Sequence, residues 1–332
     1  MSATGNARAG RSMAAPRKGR ALANGTVNVF LVFLVLLVVQ VIKQPDTLSA
    51  SGLTDLFNNA LPLALAAAGG ALVVLTRGFD LSVAGVIALT NVLLATTLPD
   101  GAWGAVLALI IAVATGFVVG AINGWLVAYV RLQSIASTLA TMIVFSGIAL
   151  LVLDAPGGQV PDAVVYGFSG VLPGNVPVAA AIAAIVILLW LALRKTDWGI
   201  AIYAIGADET AAALAGIPVR RAKFFAYCAA GVLYGLAGLM LSAVTATGNP
   251  NGGTPYLLLM FAAIAIGGTA FTGGRGGVVG AMIGAATLTL LQKVLFSAGI
   301  SSFYTGIFQG IVMILAVVIG AATARLAEGR GR

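Results

Sequence analysis

The sequence predicts an all-α, polytopic integral membrane protein of about ten transmembrane helices. Three observations predict it. Of 332 residues, 60% are hydrophobic and only 8% charged, against about 25% charged in soluble domains. Mean hydropathy is +1.05. Apolar runs near the length of a membrane span recur along the chain, separated by short polar breaks, and little is left over for a soluble domain. The net charge of +8 is no nucleic-acid signal, because the cations fall in loops and at the ends. There is no His and a single Cys, Cys228, in an apolar run. That excludes an intrachain disulfide and a His/Cys metal centre, and removes the residue most catalytic triads need.

Residues 1–25 are small, polar and basic, and read as a disordered tail. The apolar run 27–42 is long for a signal peptide, and Ser49, Ala50 and Ser51 make a poor cleavage site, so it reads as an uncleaved first span. Further spans are expected at 53–75, 81–98, 103–129, 134–153, 176–193, 224–244, 256–270, 278–295 and 304–322. Residues 26–324 thus read as a single transmembrane domain, followed by a short tail at 325–332. The eighth run is only about fifteen residues and meets the Gly-rich stretch 267–280. A broken or re-entrant segment is expected near 256–277, because irregular backbone is tolerated in a membrane where protein or a water-filled cavity shields it.

The charges orient the chain. With the amino terminus inside, the inner segments hold Arg8, Arg11, Arg17, Lys18, Arg20, Arg77, Arg131, Arg194, Lys195, Arg220, Arg221, Lys223, Arg275, Arg325, Arg330 and Arg332. Only Lys43 and Lys293 remain outside, sixteen against two. This is the positive-inside pattern, and it puts both termini in the cytoplasm.

The least membrane-like interior stretch, 194–223, then also lies inside. It holds three of the ten acids and a short capped helix. Asp208 suits the N-cap, Glu209 suits the first turn, Gly216 suits the C′ position and Pro218 blocks continuation. A helix of about eight residues is about 12 Å long. It can lie on a membrane surface and grip something outside it, but cannot span.

Other polar groups have bland and functional readings. The link RGFDLS (77–82) reads as a turn with a surface charge pair between Arg77 and Asp80, with Asp80 or Ser82 capping the next helix, or as a hinge and second contact. The cluster around Gly274 and Arg275 reads as helix packing or chain re-entry. It is no P-loop, because no Gly-Lys pair occurs anywhere, and the chain shows no ATP site. Asn58, Asn59, Thr90, Asn91, Asn123 and Gln292 are the polar groups placed at membrane depth. As amides and hydroxyls they suit a neutral, hydroxyl-rich solute, and each also suits interhelical hydrogen bonding. No carboxylate lies deep in a span, which disfavours a stand-alone secondary transporter. No clustered nucleophile, acid or metal ligand supports a membrane-embedded enzyme.

Several stretches together resemble the membrane permeases of bacterial ABC importers for monosaccharides, the ribose-type permeases of the branched-chain amino acid/sugar permease superfamily. They are GFDLSV (78–83), NGWLV (123–127), TLATM (138–142), YAIGADETAAALAGIPV (203–219), YCAAGVLYGLAGL (227–239) and GGTAFTGGRGGVVG (267–280). Departures are Ala84 where the family usually has Gly, Gln133-Ser134-Ile135 where Pro-x-Phe is common, and Ser146 where Arg is frequent. The resemblance implies a transport subunit in the bacterial inner membrane, not itself an enzyme, carrying a ribose-, galactose- or xylose-like sugar. It implies separate ABC ATPase subunits holding ATP and Mg, and no cofactor in this chain. It also implies a periplasmic or lipid-anchored sugar-binding protein and a second copy or related permease, with no nucleic acid. Carried over, Asp208, Glu209, Leu214, Ala215, Gly216 and Ile217 would couple to the ATPase. Asn58, Asn59, Asn91 and Asn123 are candidates for the path, and Arg77, Asp80, Ser82, Gly274 and Arg275 for an inner hinge. Permeases for nucleosides or branched-chain amino acids are the nearest alternatives.

Overall fold

A computed structural model describes residues 20–300 together with 304, 306, 307, 310 and 311. Residues 1–19 of the expected tail, most of the tenth expected span and the closing tail lie outside the described residues. The helices, in order, are α1 (Arg20–Lys43), α2 (Ala50–Leu75), α3 (Val83–Thr97), α4 (Ala102–Ala128), α5 (Ser134–Val152) and α6 (Asp162–Ser169). A two-stranded antiparallel pair, β1 (Val171–Leu172) and β2 (Val176–Pro177), leads to α7 (Val178–Leu193). Then follow α8 (Asp197–Ala207), α9 (Glu209–Leu214), α10 (Val219–Thr245), α11 (Thr254–Ile266) and α12 (Val278–Ser297).

Nine of the expected apolar runs are helices, but the span count is corrected. Six described helices are long and apolar enough to cross a membrane, or seven if α7 and α8, bent by 78° at their junction, are one span. α3 has 15 residues and α11 has 13. At 1.5 Å per residue both fall short of a hydrocarbon core of about 30 Å. Gly and Pro bound them: Gly78 and Pro99 flank α3, while α11 runs from an N-cap at Gly253, with Pro255 in its first turn, to a C-cap at Gly267. α3 survives short because protein surrounds it, and most of it is buried.

α2 is the centre. Of its most apolar window, 94% is buried, against 11% for α1, 28% for α4 and 22% for α5. α7, α10, α11 and α12 pack on α2, while α1, α4 and α5 turn broad apolar faces outward. Small residues set the closest approaches. At Gly116 and Gly120 on α4, and Gly231 and Gly235 on α10, a β-carbon would overlap the facing backbone. Gly267, Gly280 and Gly284 make the same kind of contact between α11 and α12, so the Gly-rich cluster serves packing.

The two ends of the bundle differ. At one, the β-bridge between Gly157 and Gly248 ties the long loop after α5 to the turn after α10. Gln159 N–H donates to Ala95 O (3.1 Å) and Val160 N–H to Ala246 O (3.1 Å) there. This turn also dips inward, since Gly253 presses on Ala84 at the start of α3 with no room for a β-carbon. The other end gathers the α2–α3 link, the α4–α5 link, α8, α9 and the turn 267–277.

Candidate functional site

The second end carries the cations. Arg77, Arg131, Arg220, Arg221 and Lys223 line one cleft of about 950 Å3. It is lined by Thr76–Gly78, by the α4–α5 link and by the segment from Glu209 to Lys223.

α9 forms the rim of this cleft, and both of its expected caps are present. Asp208 is extended, and its Oδ1 accepts from the N–H groups of Thr210 (2.9 Å) and Ala211 (3.0 Å). At the other end Gly216 has φ 82°. Gly216 N–H donates to Ala213 O and Ile217 N–H to Ala212 O (3.0 and 3.1 Å). These two bonds close a Schellman motif, in which a left-handed C′ residue satisfies the last carbonyls. The helix is Glu209–Leu214, six residues rather than eight, because Ala215 and Gly216 belong to the cap.

One side of α9 is seated and the other is bare. Ala212 is buried against Ala201 and Ile205 of α8 and Ala222 of α10, with Trp198 and Ile217 around them. Glu209 pairs with Lys223 at 2.6 Å, tying α9 to α10. Leu214 is 85% exposed. Leaving a leucine so exposed forgoes roughly 1.5–3 kcal/mol of burial, and a capped helix holds it in place. α8 was missed at the sequence level. Its signal is local: Thr196 Oγ1 accepts from Gly199 N–H (3.3 Å), with Asp197 in the first turn.

The α2–α3 link corrects the expected surface pair. Arg77 and Asp80 do not meet. The Arg77 guanidinium donates to the carbonyls of Gly206 (2.9 Å), Thr272 (2.9 Å) and Ala207 (2.7 Å). Asp80 is turned inward and buried. Its Oδ1 accepts from Ser82 N–H (3.0 Å) and Ser82 Oγ–H (2.6 Å), and its Oδ2 has no partner. Burial lifts the Asp80 carboxyl to about 6, against the lowering effect of both Ser82 bonds. Neither residue caps α3 in the usual way, since Ser82 at the N-cap makes no side-chain bond to the helix. Gly274 N–H donates to Leu75 O (3.1 Å), while Arg275 is exposed.

The four asparagines named for a path make separate contacts, even Asn58 and Asn59, which are neighbours on α2. Asn58 Nδ2 donates to Ser169 O (2.7 Å), and Asn59, exposed, bonds back to Asp55 O (2.7 Å). Asn91 donates to Ser242 Oγ (2.8 Å) and Thr247 O (3.0 Å) and accepts from Asn249 N–H (2.6 Å). It thereby holds the inward-dipping turn. Asn123 Oδ1 accepts from Thr141 Oγ–H (2.8 Å) between α4 and α5, and its Nδ2 has no partner.

A bundle of apolar helices around a buried central one, with interrupted helices inside and cations gathered at one end, defines a multi-pass membrane protein. Residues 52–317 match the family model described as branched-chain amino acid transport system / permease component. The ribose import permease of Bacillus subtilis (strain 168) is 36% identical over 295 residues, 87% of this chain and 91% of that protein. The ribose import permease of Escherichia coli (strain K12) is 34% identical over 294 residues, 87% and 91%. The galactose/methyl galactoside import permease of Escherichia coli (strain K12) is 30% identical over 311 residues, 88% and 92%. The chain belongs to this family of transport permeases. No solved structure matches it.

Proposed function

We propose that this chain is the membrane-spanning subunit of an ATP-driven importer for a neutral monosaccharide of the ribose or galactose kind, and that α9 receives the push of a separate ATPase. The observation that carries the coupling role is α9 itself: capped at both ends, seated on α8 and α10, and presenting Leu214 to solvent. Likeness to sugar permeases over most of the chain supports the solute class. The sixteen-to-two distribution of cations supports an inner membrane with that end facing the cytoplasm. The outward apolar faces leave room for a second permease, and a binding protein would deliver sugar to the opposite end. Uptake would proceed by alternating access, without chemistry in this chain.

The test is reconstitution. Radiolabelled ribose and galactose uptake into liposomes is measured with the permease alone, and with its ATPase and binding protein. Uptake that needs both partners and ATP supports the reading. Equal uptake by the permease alone overturns it.

A further inference from the structure

α2 ends in a Schellman motif: Arg77 N–H donates to Val74 O (3.0 Å) and Gly78 N–H to Val73 O (3.1 Å). The C′ position of such a motif favours Gly, because it needs a left-handed backbone. Here it is Arg77, with φ 62°. A disfavoured conformation thus places a guanidinium where three chain segments meet.

Those segments are the ends of three working parts. Arg77 Nε–H is shared between Gly206 O and Thr272 O, and Nη2 donates to Ala207 O. Gly206 and Ala207 are the last residues of α8, whose terminal carbonyls favour a cation. The next residue is Asp208, the N-cap of α9. Thr272 lies in the turn leading to α12. The backbones touch directly there, since a β-carbon on Gly206 would collide with Leu75 O and with Gly274 N. Two further bonds, Gly274 N–H to Leu75 O and Tyr203 Oη–H to Gly276 O (2.8 Å), close the joint.

We propose that Arg77 is the positioning residue of the coupling step: it locks the base of α9 to the end of central α2 and to the turn before α12, so that displacement of α9 moves the core. The transport half of this inference rests on the importer reading above. A lysine keeps the charge but not the planar fork that reaches several carbonyls at once.

Two measurements test it. In nanodiscs, without partners, hydrogen exchange across 209–215 quickens by about tenfold in Arg77→Ala, with exchange in α2 and α4 unchanged. Arg77→Lys gives a smaller effect in the same place and carries the test if the alanine variant does not fold. Unchanged exchange across 209–215 overturns the proposal, and this arm bears on Arg77 alone. In the complex with ATPase and binding protein, ribose imported per ATP hydrolysed falls by about fivefold or more while hydrolysis persists. A ratio equal to wild type, or uptake and hydrolysis falling together with the amount of complex, overturns the coupling role. Absence of ATP-driven uptake in the wild-type complex counts against the importer reading instead.

Discussion

Asp80 shows how one residue in this chain departs from its local reading. It sits between an arginine and a serine in a short link, where a surface pair is the ordinary expectation. Its carboxylate instead points inward, with one oxygen satisfied by Ser82 and one bare. Tyr227 of α10 reaches the same link, its hydroxyl donating to Phe79 O (3.2 Å). Because its folded value is raised to about 6 from an ordinary 3.8, the folded state holds the proton more tightly than the unfolded chain. Stability associated with this group is therefore greatest below the unfolded value and declines as pH rises from 4 to 6. Asp80→Asn, which keeps an acceptor for Ser82, is expected to raise the melting temperature in detergent at pH 8, by an effect on the order of 3 kcal/mol. The gain should vanish near pH 4, and a pH-independent difference would contradict the assignment. Asn91 offers a second residue-scale test. Asn91→Ala leaves Asn249 N–H without its partner, at about 1–3 kcal/mol, while the Ser242 hydroxyl keeps its bond to Gly238 O. Thermal stability should fall and ribose uptake should change, with ATPase binding retained in a pull-down. An unchanged uptake rate would reduce Asn91 to a packing role. None of the Arg77 guanidinium's contacts could be read from the sequence, because its partners lie 129 to 195 positions away.

Among elements, α9 was the most legible. Asp208, Glu209, Gly216 and Pro218 obey rules that act within one turn, so the caps show in the sequence. α8 follows a similar rule at Thr196 and Asp197, but its apolar body reads like the edge of a neighbouring span. α3 and α11 were misjudged in reach. An apolar run has the same composition whether it crosses lipid or stops inside protein, and only packing around α2 separates the two cases. Two element-scale outcomes follow. Gly216→Val forces a β-branched residue to φ 82°, at about 1–3 kcal/mol of backbone strain. Sugar-stimulated ATP hydrolysis in the complex should drop while membrane insertion, followed by western blot, is kept. Unchanged stimulation would remove α9 from the coupling path. Gly231→Leu inserts a side chain where α10 meets α4 backbone to backbone. Overpacking of this kind costs about 1–3 kcal/mol or more, and size-exclusion chromatography should show lost monodispersity. A normal profile would mean that the two helices can separate without harm.

For the whole molecule, the membrane class was legible from composition, and the grouping of cations at one end follows from their alternation along the chain. The path was not legible. Amides at membrane depth look alike in sequence whether they line a cavity or bind neighbouring helices, and the structure disperses Asn58, Asn91 and Asn123 among three separate contacts. What unifies the molecule is the route from α9 through the Arg77 joint to α2 and α12. On the proposed reading, that route would let a chain without an ATP motif receive energy from a partner. Ribose uptake into proteoliposomes, with the permease present alone or joined by its ATPase and binding protein, tests this most directly. The account predicts uptake only with both partners and ATP, abolished by Gly216→Val with the permease still inserted. Uptake by the permease alone at the same rate, indifferent to ATP and to that substitution, would contradict it.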